Sequence, residues 1–186
     1  MIKRILSILL VLLMLCSCNA AKPDFNSGFS IETYKCDMSH YKGVNSVNHS
    51  FVGTTVKELN KTIIEKGYGA FVLSRESCDH CQMVMQLIDE AARELGVTVY
   101  YIDGESSTYP IIETPDYDLL DSLLKPIEEP DDEGEIYLQT PHFFTVVDGK
   151  FQESILGFDI KGDEPTDKEK LKQTDKYKNA LKIFVK

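Results

Sequence analysis

Ala70-Phe71-Val72-Leu73-Ser74-Arg75-Glu76-Ser77-Cys78-Asp79-His80-Cys81-Gln82 is the stretch whose reading decides the fold. An apolar run of strand length passes through a short polar turn into a CxxC pair, and a helical pattern starts at Gln82. A strand that delivers two cysteines to a helix N-terminus puts the first sulfur where backbone N–H groups and the helix dipole favour a thiolate. The second sulfur lies one turn on, close enough to close a disulfide. The pattern points to thiol–disulfide chemistry.

The surroundings extend this reading in both directions. Gln82 to Leu95 places Val84, Leu87, Ile88, Ala91 and Leu95 on one helical face, and Gly96 closes the helix. Val97 to Ile102 is a second strand, dense in β-branched and Tyr residues, so the unit is βαβ with parallel strands and a right-handed crossover. Upstream, Thr55 and Glu58 predict a capping box. Val56, Leu59 and Ile63 follow at helical spacing, Gly67 ends that helix, and Tyr68 to Leu73 is the strand that leads to the cysteines. Residues 103–136 form an acidic excursion with a short helix over Pro115 to Leu124, apolar at Leu119, Leu120, Leu123 and Leu124. Glu128 to Glu133 reads as a solvent loop, since it lacks the alternating acids and closing Glu of a calcium loop. Phe143 to Val147 and Phe151 to Leu156 flank Asp148-Gly149-Lys150, a strong hairpin pattern. Lys168 to Phe184 is a final helix carrying Leu171, Tyr177, Leu181 and Phe184.

The chain has 186 residues, which suits one domain plus terminal extras. Its formal net charge is −10, and loss of residues 1–17 would remove Lys3 and Arg4 and no acid, giving −12. That balance argues against nucleic acid and against electrostatic docking on anionic lipid. At the N-terminus a basic Lys3-Arg4 pair precedes an apolar run, Ile5 to Leu15, too short to span a bilayer comfortably. Leu15-Cys16-Ser17-Cys18 then resembles a bacterial lipobox, which implies cleavage before Cys18 and lipidation of Cys18. An ordinary cleaved signal peptide or an uncleaved anchor is the alternative. The expected plan is a signal peptide at 1–17, a lipidated polar tether and irregular lead-in at 18–50, and a folded domain at 51–186. Ile31 to Tyr34 is a candidate short strand within the lead-in, and His40 and His49 are expected to be solvated there. Of five cysteines, Cys16 leaves with the signal and Cys18 carries lipid, so Cys36, Cys78 and Cys81 remain.

From about Phe51 to Lys186 the chain resembles the thioredoxin-like superfamily. The CxxC between a strand and a helix, Thr140-Pro141 just before an apolar strand, the Asp148-Gly149-Lys150 turn, and Gly157 ahead of a C-terminal helix carry the resemblance. It implies an α/β thioredoxin fold, with a central mixed sheet and helices on both faces. It also implies a cis peptide bond at Pro141, with Thr140 and Pro141 docking substrate beside Cys78. Two positions depart from the family: Ser77 stands where an aromatic usually precedes the first Cys, and Val72 stands where a buried acid is expected. A fainter similarity in layout is to the thioredoxin-like accessory proteins of bacteriocin systems.

On this reading Cys78 is the nucleophile and Cys81 resolves the mixed disulfide. His80, where protonated near the thiolate, stabilises it and makes the protein more oxidising, whereas Asp79 repels it. An oxidising or isomerising role and an extracytoplasmic reductase both stay open. The substrates are protein thiols and disulfides, with an unidentified redox partner and a membrane reached through the N-terminal lipid. The acidic excursion is the candidate for partner specificity. Competing readings are a structural disulfide and a zinc site built from Cys36, His40, Cys78 and Cys81. Another is a redox-inactive binding or accessory lipoprotein on the same fold. Cys36 is either a buried thiol or a third redox cysteine. His142 either faces the redox pocket or points away from it. No nucleotide fingerprint, phosphate loop or Ser/His/Asp grouping is present, so no cofactor and no metal are expected. Arg75 alone does not make a peroxidase site.

Overall fold

The apolar run ahead of the cysteines is the middle strand of a five-stranded sheet. The computed structural model describes residues 28–108, 114–126, 138–158 and 164–185. The elements in order are β1 (Phe51–Thr54), α1 (Val56–Ile64), β2 (Gly69–Ser74), α2 (Asp79–Leu95), β3 (Val99–Asp103), α3 (Pro115–Leu124), β4 (His142–Val147), β5 (Lys150–Leu156) and α4 (Asp167–Leu181). A 3₁₀ turn, Lys182–Phe184, follows. The sheet order is β1-β3-β2-β4-β5. Every residue of β2 is buried, and a strand covered on both faces reads as a continuous apolar run. β2 pairs parallel with β3, Val72 opposite Tyr101 and Ser74 opposite Asp103. It pairs antiparallel with β4, Val72 opposite Phe143.

Alternation along the strands divides the core into two layers. Ala70, Val72, Val99, Tyr101 and Phe143 face α2 and α4, whose Val84, Ile88, Tyr177 and Leu181 lie in the same cluster. Phe71, Leu73, Ile102, Phe144 and Val146 face α1 and α3, meeting Leu59, Leu120 and Leu124. A mixed sheet of this order, with helices on both faces, is the thioredoxin fold, as the resemblance implies. The β4–β5 hairpin turns on Asp148 and Gly149, both at positive φ (53° and 69°), the pairing a two-residue hairpin loop needs. α3 keeps its expected bounds.

Several local expectations are corrected. β1 replaces the candidate strand at Ile31 to Tyr34, where only Tyr34 forms an isolated bridge, to Gly53. The lead-in is irregular but packed, since Cys36, Met38, Tyr41 and Val44 are buried in the α2-side layer. α2 begins at Asp79 rather than Gln82, because Cys78 itself caps it. The capping box at Thr55 is half formed. Thr55 accepts from the Glu58 N–H at 3.3 Å, but the Glu58 carboxylate accepts from the Glu32 N–H at 2.9 Å instead of returning to Thr55. A reciprocal capping box forms at Thr166 and Glu169. Lys66, not Gly67, takes the left-handed conformation after α1. Leu171 is exposed, outside the apolar face of α4. Residues 1–17, Cys18 and the acidic run Glu128 to Glu133 lie outside the described residues. Among the described residues no helix is long and apolar enough to cross a membrane.

Candidate active site

α2 starts at the cysteine pair because Cys78 does what a Ser or Asp side chain does at most helix starts. Its backbone is extended (φ −91°, ψ 116°) and its Sγ accepts the Cys81 N–H at 3.2 Å. The sulfur thus sits at the positive end of a 17-residue helix, where a negative charge is favoured. Cys78 is half-buried, whereas Cys81 is fully buried beneath it. The Cys81 sulfur accepts a hydrogen bond from the Arg75 N–H at 3.5 Å. Burial, reinforced by the neighbouring Cys78, pushes the Cys81 thiol up to about 11, against the pull of hydrogen bonds from Ser74 and the Arg75 N–H.

The turn that presents Cys78 is held from three sides. The Cys78 N–H donates to the Arg75 carbonyl at 3.3 Å, and the Gly104 N–H donates to the Ser74 carbonyl at 2.8 Å. The Gln82 side chain donates to the Glu76 carbonyl at 2.9 Å. Ser77 donates both its N–H (3.1 Å) and its hydroxyl to the Glu105 carboxylate, which those bonds hold below the usual carboxylate range. Ser77 therefore ties this turn to the loop after β3.

Thr140 and Pro141 stand beside the pair. Their peptide bond is cis, and the Cys78 thiol points at the Thr140 carbonyl, 3.7 Å away. The Arg75 Nε donates to the Thr140 hydroxyl at 2.9 Å and so links the turn before Cys78 to the turn before β4. Of the residues singled out from sequence, Cys78, Cys81, Thr140 and Pro141 are brought together. Asp79 and His80 lie in the first turn of α2 with exposed side chains. Cys36, Cys78 and Cys81 are free thiols. Cys36 lies instead against Gly53 of β1, its thiol pushed up by burial. Among the described residues no group of three or more Cys, His, Asp or Glu is placed to hold a metal ion, so the zinc grouping is not assembled.

The histidines differ from expectation. His40 is half-buried against Tyr41, ring centroids 4.5 Å apart, and His49 Nδ1 accepts the Phe51 N–H at 3.2 Å. His142 is buried with Phe144 on the sheet face opposite α2, its Nε2 2.7 Å from the Ser154 hydroxyl, so it points away from the cysteines. Sequence reasoning missed Ser74, Arg75, Glu105, Tyr41 and Tyr101. Only Ser74 carried a usable sign: it shares strand parity with Val72 and so faces α2.

No family model and no curated protein sequence matches this chain. Among solved structures it is similar to thioredoxin O2 from Arabidopsis thaliana, at 16% identity over 74% of this chain and 96% of that one, with a TM-score of 0.42. Thioredoxin O1 from the same plant gives 14% identity over 74% and 99%, TM-score 0.42. Thioredoxin from Aeropyrum pernix gives 17% over 69% and 83%, TM-score 0.42.

Proposed function

We propose that this protein is a thiol–disulfide oxidoreductase that acts on protein substrates through Cys78 and Cys81, tethered outside the cytoplasmic membrane by lipid on Cys18. The observation that carries the chemistry is the asymmetry of the pair. One sulfur is half-exposed at a helix N-terminus and 3.7 Å from the Thr140 carbonyl, and the other is buried directly behind it. In the reducing direction the Cys78 thiolate attacks a substrate disulfide. A Cys78–substrate S–S bond forms, the substrate S–S bond breaks, and one substrate sulfur leaves as a thiolate. Cys81 gives up its proton and attacks the Cys78 Sγ, closing the intramolecular disulfide and releasing the second substrate sulfur. The two electrons pass from the Cys78/Cys81 dithiol to the substrate, and two protons end on its thiols. The reverse sequence oxidises a substrate dithiol.

Thr140 and Pro141 supply backbone that an extended substrate strand can pair with, while Asp79 and His80 tune the poise from the exposed side of the turn. The tether reading rests on Leu15-Cys16-Ser17-Cys18.

The deciding experiment equilibrates the soluble part of the protein in glutathione buffers and alkylates the free thiols. The expected result is a reversible two-electron transition that Cys78→Ser abolishes, with the midpoint separating oxidase or isomerase from reductase. A pair that never closes under oxidant would overturn the reading in favour of a binding or accessory protein. Incorporation of labelled palmitate that Cys18→Ala abolishes tests the anchor.

A further inference from the structure

Hydroxyls from three separate parts of the chain are buried in the same layer as Cys81. Tyr41 from the lead-in, Ser74 from the end of β2 and Tyr101 from β3 are 1%, 0% and 2% exposed, and Cys81 is 0% exposed. The Tyr41 hydroxyl donates to the Ser74 Oγ at 2.8 Å, and the Tyr41 and Tyr101 hydroxyl oxygens are 3.3 Å apart. Each hydroxyl has a single proton. Because Tyr41 gives its proton to Ser74, the bond to Tyr101 requires Tyr101 to donate. Ser74 then keeps its own proton, and it is the hydroxyl that draws the Cys81 thiol down against the push of burial. The direction of the hydroxyl row is fixed: Tyr101 to Tyr41 to Ser74.

We propose that this row of donors stabilises the Cys81 thiolate in the resolving step, with Ser74 contacting the reacting sulfur and Tyr41 and Tyr101 positioning Ser74. The proposal rests on the redox reading of the pair. Hydrogen bonds in series polarise one another, and in a site closed to water they stand in for the hydration a thiolate would have outside. Burial pushes both phenols well above their ordinary value, so they remain donors throughout the working range. Tyr101 lies opposite Val72 in the sheet, with Ser74 two residues further along the same strand. The groups that face the Cys81 region are Cys78 capping α2, Tyr41 on the lead-in, Tyr101 and Asp103 on β3, and Tyr177 on α4. Asp103 bears on the two phenols rather than directly on the sulfur.

The aryl disulfide dithiobisnitrobenzoate separates the two steps by stopped flow. The first coloured thiolate is released when Cys78 attacks, and the second when Cys81 displaces the aryl thiolate from Cys78. In Tyr41→Phe, which removes one hydroxyl and keeps the ring, the first release is expected to be unchanged. The second is expected to slow about tenfold at pH 7, with its pH midpoint moved up by about one unit. Ser74→Ala, which removes the contact itself, is expected to slow it further, up to about a hundredfold. A second release with the same rate and midpoint in Tyr41→Phe overturns the proposal, and so does one that slows with no movement of the midpoint. Absence of either release in the unsubstituted protein overturns the redox reading, and the donor chain with it.

Discussion

Of Cys36, Cys78 and Cys81 in the reduced, folded protein, only Cys78 is expected to take a label from iodoacetamide at pH 7. Alkylation requires a thiolate that the reagent can reach. The Cys81 thiol is pushed up to about 11 from an ordinary value of 9.0. At pH 7 that leaves about one thiolate in ten thousand, against about one in a hundred for the same group unfolded. Access lowers the rate again, because Cys81 is fully buried whereas Cys78 is not. Cys36 is protected by the same two terms, since it is 5% exposed and burial raises its thiol. The assay is a timed quench followed by peptide mass spectrometry, with a urea-unfolded control in which Cys36, Cys78 and Cys81 react at comparable rates. Labelling of Cys81 in the folded protein at even a tenth of the Cys78 rate would refute the assignment of attacking and resolving roles.

Gly149→Ala is expected to destabilise the protein by about 2 kcal/mol or more, read from a urea midpoint. The residue has φ +69°, and an added Cβ would meet the Ile63 carbonyl oxygen at 2.2 Å. An unchanged midpoint would mean that the hairpin turn does not dock on the end of α1. Glu105→Gln is expected to cost no more than about 1 kcal/mol, because the pair with Ser77 is exposed and screened. The Glu105 carboxyl is held below its unfolded value, so that contribution is present above the ordinary 4.5 and is lost as pH falls through the lowered folded value. The urea midpoints of the two proteins should therefore converge in acid and differ at pH 7. A chain that starts at Phe51 loses the burial of Met38, Tyr41 and Val44, worth about 1.5–3 kcal/mol each. Its thermal midpoint by circular dichroism is expected to fall by more than 10 °C, on the order of 4–8 °C per kcal/mol in a small domain. Equal midpoints would show that the lead-in is only a tether.

Periodic elements and compact local motifs are legible in the sequence, and long-range contacts are not. β2, the α2 face and the β4–β5 hairpin each announce themselves through a repeat or a turn pair. β1 has four residues, one of them Gly53, which reads as a breaker. The glycine is required there because the Tyr34 ring lies over it: an added Cβ would meet Tyr34 Cε2 at 2.3 Å. The start of α2 was misplaced because a cysteine is not among the usual capping residues, and its sulfur fills that role. In the lead-in, Met38, Tyr41 and Val44 are spaced at three residues among exposed polar neighbours, too short and mixed a stretch to mark as core. The cysteines and Thr140-Pro141 carry their chemistry in their own side chains and spacing. Their supports do not: Tyr41 reaches Ser74 across 33 positions, Ser77 reaches Glu105 across 28, and Arg75 reaches Thr140 across 65. Contacts of that range leave no local pattern.

Hydroxyls behind Cys81 differ from a carboxylate in what they do with a proton. A carboxylate accepts one at neutral pH, whereas a serine or a buried phenol that already donates cannot take a second. The donor chain therefore lowers the cost of the Cys81 thiolate without storing the proton that Cys81 releases. That proton leaves past the half-buried Cys78, to the departing substrate sulfur or to water. The step quickens as pH rises toward the Cys81 value, with no plateau set by an internal base. Val72 packs in the apolar layer toward α2, and the hydroxyl that bears on Cys81 comes from Ser74, two residues further along the same face.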